Sequence, residues 1–192
     1  FKLDLTNKLI LIRVDLNLPI KDGIVQDETR LLSVLPTIQE IIKKGGKVVL
    51  CSHFGRPNGE YNKKYSLKSL IEPLSKALNL PINFSPTCIG PEAEELKNNL
   101  TEGQVLLLEN LRFHKGEETN SKDFSKDLTL GIDYFVNDAF SCSHRKHSST
   151  VGVTSFLPSF MGTHLEKEIN ALESVLNKPC LLYTSPSPRD RG

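Results

Sequence analysis

The sequence has 192 residues, 38% of them hydrophobic, which suits one domain or a domain and a half burying roughly 70% of its unfolded surface. With 24 Lys and Arg against 23 Asp and Glu the net charge is +1, so no global field points to nucleic acid or an anionic membrane, and any anion site must be local. The longest apolar runs, 9–12 and 105–108, fall far short of the ~20 residues of a membrane-spanning helix. No signal peptide is visible, although the chain opens mid-flow at Phe1 and could have lost one. Cys51, Cys88, Cys142 and Cys180 are scattered without C-x-x-C spacing, so reduced thiols in a cytoplasmic protein are expected ahead of disulfides or zinc.

Residues 9–14, Leu-Ile-Leu-Ile-Arg-Val, read as a strand buried on both faces. It empties into Asp15-Leu16-Asn17-Leu18-Pro19, and Lys21-Asp22-Gly23 reads as a further turn. Residues 31–44 have helical spacing along Leu31, Leu35, Ile38, Ile41 and Ile42, with Pro36 marking a late first turn or a kink and Gly45-Gly46 as the stop. Val48–Cys51 is a second strand pattern, and it runs into Ser52-His53-Phe54-Gly55-Arg56-Pro57. Residues 66–79 read as an amphipathic helix with Ser66 as N-cap, followed by a short edge-strand candidate at 81–84. Residues 91–100 read as a helix with glutamates at the positive end of its dipole.

Residues 105–108 form the next apolar strand, emptying into Glu109-Asn110-Leu111-Arg112-Phe113. Lys115-Gly116-Glu117-Glu118 reads as a charged loop, and 123–130 as a helix. Residues 134–136 are a strand opening onto Asn137-Asp138-Ala139-Phe140 and a polar stretch containing His144, Arg145 and His147. A last amphipathic helix spans about 163–176. Residues 181–192, with two Ser-Pro pairs and no periodicity, resemble either a disordered tail or translated non-native sequence, and are set apart from the fold.

Strands alternating with helices predict an α/β fold: a three-layer, doubly wound, Rossmann-like sheet, mostly parallel, with helices on both faces. Right-handed crossovers put every strand's carboxyl end on one rim, so the polar turns after Val14, Cys51, Leu108 and Val136 should share a crevice. That rim collects Arg56, Arg112 and Arg145, with Arg30 nearby, His53 and His144, and the short polar side chains Asp15 and Asn17. Any single arginine fits an ordinary ion pair. Four at corresponding positions repel one another at low dielectric unless an anion is expected, and the fitting guest is small, multiply anionic and hydroxylated, such as a phosphorylated sugar acid. His144-x-x-His147 has metal-ligand spacing but no evident third ligand. There is no G-x-x-x-x-G-K-[ST], no G-x-G-x-x-G after a strand and no nucleophile elbow.

In order and spacing, Asp15–Pro19, Ser52–Pro57, Leu108–Phe113 and Asn137–Phe140 with His144-Arg145-x-His147 resemble the amino-terminal domain of the phosphoglycerate kinase family. The resemblance covers 2–179 and implies a 3-phosphoglycerate-binding domain over 1–179, with 180–192 as the tail. It implies substrate binding by Asp15, Leu16, Asn17, Arg30, His53, Phe54, Gly55, Arg56, Arg112 and Arg145, with Arg30 also stabilising the transferring phosphoryl group. The implied reaction is phosphoryl transfer between ATP and the carboxylate of 3-phosphoglycerate in glycolysis. Mg-ATP or Mg-ADP would bind a second domain carrying a Gly-Gly-Ala-Lys stretch, absent here, so no cofactor and no metal is assigned to this chain and it is expected to be inactive alone. A monomer in the cytoplasm, without nucleic-acid or membrane partners, is the accompanying expectation. Departures are Phe54 for the family's usual Leu, and Ser141 and Ser143 for its Gly and Ala. The alternatives are a non-catalytic anion-binding module derived from the same fold, or another sugar-phosphate binder.

Overall fold

A computed structural model describes residues 3–18, 20–21, 24–25 and 29–177. Asp22 and Gly23 of the expected turn, Cys180 and the 181–192 segment lie outside the described residues. The chain runs through β1 (Leu9–Arg13), β2 (Ile20–Lys21), β3 (Ile24–Val25), α1 (Thr29–Lys43), β4 (Lys47–Cys51), α2 (Ile71–Leu78), β5 (Ile82–Ser85) and α3 (Pro91–Asn98). It continues through β6 (Val105–Leu108), α4 (Lys115–Glu118), α5 (Lys122–Leu128), β7 (Tyr134–Asn137), β8 (Ser159–Met161) and α6 (Thr163–Asn177). Six strands make one sheet in the order β5-β6-β4-β1-β7-β8, and every neighbouring pair is parallel. β2 and β3 pair antiparallel, apart from it.

The strict alternation of side chains along a strand builds the three layers. Ile10, Ile12, Val48, Leu50, Val105 and Leu107 point to one face, where Leu31, Val34, Ile38 and Ile41 of α1 and Leu74 and Leu78 of α2 cover them. Leu9, Leu11, Val49, Cys51, Leu106 and Leu108 point to the other, against Phe124 and Leu128 of α5 and the half-buried Leu96 of α3. The chain winds outward from β1 to β5 with α1 and α2 on the first face. It then returns through β6 to β7 with α3 and α5 on the second, as right-handed crossovers require when the direction of travel reverses. Burial pushes the Cys51 thiol up to about 12 and the Cys88 thiol well above its ordinary range, so both behave as small apolar groups of the core.

Local chemistry sets the element ends. Gly45 and Gly46 donate back to the carbonyls of Ile42 and Ile41 and close α1. Pro36 lies within α1. The continuous helix expected over 66–79 is instead a 3-10 turn, Leu67–Leu70, leading into α2. Pro73, in the first turn of α2, has no N–H to donate to residue 69, so a continuous α-helix would lose that hydrogen bond there. Ser66 still caps, its hydroxyl accepting from the Lys68 amide. After β7, Asp138 accepts from the His164 and Leu165 amides, and Thr37 of α1 accepts from the Thr163 amide, so α6 is held at its start. Leu172, Val175 and Leu176 on its distal half are exposed.

Candidate functional site

The carboxyl ends of β6, β4, β1 and β7 are contiguous in the sheet, so the four polar turns do share one rim. Hydrogen bonds knit them. The Ser52 hydroxyl donates to the Val14 carbonyl at 2.8 Å and accepts from the Leu16 amide at 3.0 Å, joining the β1 and β4 turns. Asn110, wholly buried, accepts from the Phe54 and Arg112 amides and donates to the Phe54 and Tyr65 carbonyls, which satisfies its entire side chain. Glu109 beside it accepts from the Ser66 hydroxyl at 2.6 Å and from the Leu67 and Asn110 amides at 2.8 Å each. These two side chains are the frame on which the β4 and β6 turns are hung.

Gly55 sits at φ +60°, and a Cβ there would lie 2.3 Å from Cδ1 of Tyr65. Its amide donates to Asn17 Oδ1 at 3.1 Å, and its carbonyl accepts from Arg112 Nη1 at 2.7 Å. One glycine therefore ties three of the expected residues together. The Asp15 carboxylate accepts from the Asn17 amide at 3.1 Å and from the Ser141 hydroxyl at 2.5 Å, and lies 3.3 Å from Arg30. Arg30 also donates to the Asn17 carbonyl at 2.9 Å. Asp15, Arg30, Ser33, Phe140, Ser141 and His164 line a cleft of about 200 Å³.

Charge gathers around His53, which is buried at 5% exposure. Burial first, then the positive charges of Arg13, Arg112 and Arg145 with His147, push its imidazole down to about 2. His53 is therefore neutral at physiological pH. Burial also draws Arg112 below its ordinary range, opposed by Glu118. Glu118 Oε1 lies 3.2 Å from Arg112 Nε, yet the Nε–H is not aimed at it and has no hydrogen-bond acceptor among the described residues. The Arg145 guanidinium is half-buried and has no carboxylate partner among the described residues.

Of the expected residues, Asp15, Asn17, Arg30, His53, Gly55, Arg112 and Arg145 are thus joined by contact or by charge. Arg56 is exposed, with no hydrogen bond or ion pair among the described residues, and is not among the charges acting on His53. Leu16 and Phe54 turn their side chains into the core, and their amides are already donated to Ser52 and Asn110. His144 is exposed, while His147 Nδ1 lies 3.8 Å from Glu117 Oε1.

Two features differ from the sequence reading. The 115–118 stretch is helix α4 rather than a loop, and Glu117 is fully buried, accepting from the Ser149 amide and hydroxyl. Arg13 is only 1% exposed and points beneath the rim, with Nη2 3.0 Å from His53 Nδ1. A charge closing a strand that is otherwise apolar on both faces was the available signal, because such a charge must find partners indoors.

Ligand atoms from Asp15, His53 and Cys142 lie within 4.8 Å of one another. They do not fit a cation. The ring nitrogen facing Cys142, at 3.9 Å, is the one already against Arg13, the Asp15 carboxylate is engaged by Ser141 and Arg30, and three guanidinium groups surround the place. Magnesium accompanying a nucleotide would find no suitable pair of free carboxylates there. A larger open groove of about 820 Å³ runs along α2 past Asn79, Leu80 and Pro81. Those residues precede β5 and so lie at the amino end of the sheet, away from this chemistry.

A family model described as phosphoglycerate kinase matches residues 1–183. The chain belongs to the phosphoglycerate kinase family. Among curated relatives, a phosphoglycerate kinase of Caulobacter vibrioides is 47% identical over 176 residues, covering 92% of this chain and 44% of the relative. One from Brucella melitensis is 47% identical over 173 residues, covering 90% and 44%. The solved phosphoglycerate kinase of Pyrococcus horikoshii superposes with a TM-score of 0.82 at 36% identity, over 97% of this chain and 46% of that one. That of Coxiella burnetii gives 0.81 at 36% identity, over 93% and 44%. The chain therefore spans less than half the length of the phosphoglycerate kinases it matches.

Proposed function

We propose that residues 1–179 bind 3-phosphoglycerate on the rim, as the acceptor-binding domain of a glycolytic phosphotransferase. The observation carrying this reading is the cluster of Arg13, Arg112 and Arg145 around a neutral His53, with Arg145 lacking any carboxylate partner among the described residues. Such a cluster is self-repelling until a dianionic group enters it, and planar guanidinium forks match phosphate oxygens. His53, Arg112 and Arg145, with Arg56 from the outer edge, take the phosphate end. Asp15 and Asn17 take the hydroxyl. Arg30, released from Asp15, meets the transferring phosphoryl group. Family membership supports the same assignment.

The reaction of the whole protein would be 1,3-bisphosphoglycerate + ADP = 3-phosphoglycerate + ATP. In the ATP-consuming direction a carboxylate oxygen attacks the γ-phosphorus, a new P–O bond forms, the bond to the β-phosphate oxygen breaks, and ADP leaves. No proton moves, because a carboxylate with a pKa around 4 is already ionised at neutral pH. Catalysis then consists of positioning and of cationic stabilisation of a charge-dispersed transition state. The Mg-nucleotide is assigned to residues outside this sequence, and the 192-residue chain alone is expected to show negligible ATP turnover. A cytoplasmic monomer completes the reading; among the described residues no helix is long and apolar enough to cross a membrane.

Calorimetric titration of the purified chain with 3-phosphoglycerate tests the assignment. Saturable binding that Arg145→Met weakens about tenfold or more is expected. Binding unaffected by Arg145→Met, or no binding by a folded sample, would overturn it.

A further inference from the structure

Arg13 is a buried charge without a direct counter-ion. Among the described residues no carboxylate lies within ion-pair distance of it, and each of its three guanidinium nitrogens meets another group. Nη1 donates to the Val14 carbonyl, Nε donates to the Ser149 hydroxyl at 2.9 Å, and Nη2 meets His53 Nδ1 at 3.0 Å. The nearest negative charge along this path is one hydroxyl further. Ser149 donates its proton to Glu117 Oε1 at 2.6 Å, and its amide donates to Oε2 at 3.0 Å. Glu117, Ser149 and Arg13 are each at most 1% exposed, so the path is shielded from solvent screening. The charge of Glu117 thus polarises the Ser149 hydroxyl, whose oxygen receives Arg13.

The chemistry of a guanidinium fixes the far end of this path. Arginine has five donors and no acceptor, so the contact with His53 exists only if Nδ1 carries a lone pair. A neutral imidazole with a lone pair on Nδ1 has its proton on Nε2. We infer that Glu117, Ser149 and Arg13 form a buried relay that locks His53 as the neutral Nε2–H tautomer, making all three positioning residues for the anion site. The inference rests on the proposed binding of 3-phosphoglycerate for its functional consequence, but not for its structural content. A locked neutral imidazole offers a directed donor to a phosphate oxygen and adds no further positive charge to Arg112 and Arg145. The groups facing His53 are Arg13, Arg112, Arg145, His147 and, at 3.9 Å, the Cys142 thiol.

Long-range proton–nitrogen correlation of the histidine rings in the unliganded 192-residue chain tests this. In the unmodified chain His53 is expected to show a bare Nδ1 and a protonated Nε2 throughout about pH 5 to about pH 8, with no titration. Ser149→Ala, which removes the link between Glu117 and Arg13, is expected to mix the tautomers, while the ring stays neutral because its burial and the surrounding guanidinium groups are unchanged. It should also weaken 3-phosphoglycerate binding about 3- to 10-fold, the worth of one positioning hydrogen bond. If Ser149→Ala does not fold, the isosteric Glu117→Gln takes its place with the same ring readout. A proton on Nδ1 in the unmodified chain, ordinary titration there, or a folded variant with an unchanged His53 pattern would overturn the relay. Because the ring pattern is read without ligand, a locked tautomer in a chain that fails to bind 3-phosphoglycerate would refute the proposed function and leave the relay standing.

Discussion

Gly55→Ala is the substitution whose effect the geometry specifies most fully. A methyl group at Gly55 would stand 2.3 Å from Cδ1 and 2.4 Å from Cε1 of Tyr65, where real Cβ atoms essentially never come closer than 3.0 Å. The Tyr65 ring cannot simply rotate away, since it packs edge-on against Phe54 at 6.3 Å and its backbone carbonyl is held by Asn110. The left-handed backbone adds about 1 kcal/mol for a residue with a side chain, and displacing a packed ring about 2 more. A total of about 3 kcal/mol corresponds to a melting point lower by roughly 6–12 °C in a chain of this size. Gly131→Ala is the control: φ there is +75°, but the nearest atom to its Cβ is 3.8 Å away, so only the backbone cost of about 1 kcal/mol should appear. Thermal melts followed by circular dichroism compare the two. Moving Gly55 also disturbs the Asn17 and Arg112 contacts, so titration with 3-phosphoglycerate should show about tenfold weaker binding or worse in Gly55→Ala alone. Equal melting points and equal affinities for the two variants would refute the packing argument.

Other consequences follow from the buried charges. Folded His53 stays unprotonated down to about pH 2, whereas the unfolded chain takes up a proton near 6.5, so stability present above about 6.5 is lost as pH falls. Between pH 7 and pH 5 the chain should lose about 2 kcal/mol in urea titrations, with the half-buried His114 and His147 acting in the same direction and His53→Asn flattening the slope; an unchanged midpoint would contradict this. Arg112→Met should weaken 3-phosphoglycerate binding about 10- to 100-fold and reduce its salt dependence, both read by calorimetry at two ionic strengths. Glu109→Ala strands the donors of Ser66, Leu67 and Asn110 and should destabilise by at least about 3 kcal/mol, seen as a lower denaturant midpoint.

Much of the architecture was legible because the central strands are buried on both faces and announce themselves as uninterrupted apolar runs. β1, β4, β6 and β7 all have this character, and the crossover rule then places their turns on one rim. β8 was not, since Ser159-Phe160-Met161 is a half-exposed edge with no apolar run to mark it. The rim arginines could be found from position alone, but the parts that hold them could not. Arg13 meets a serine 136 residues away, and Glu117 lies within a run of charges that reads as solvated. What buries that run is tertiary: Gly116 packs so closely on Phe124 that a Cβ would lie 2.7 Å away, which turns Glu117 inward to Ser149. Charge burial depends on partners that local sequence does not name.

The most direct test of the rim as the substrate site is a crystal structure of the chain soaked with 3-phosphoglycerate. The account predicts the phosphate within hydrogen-bond distance of His53, Arg112 and Arg145, and the hydroxyl against Asp15 and Asn17. Density for the ligand in the groove along α2, or a rim that stays empty at saturating ligand, would contradict it.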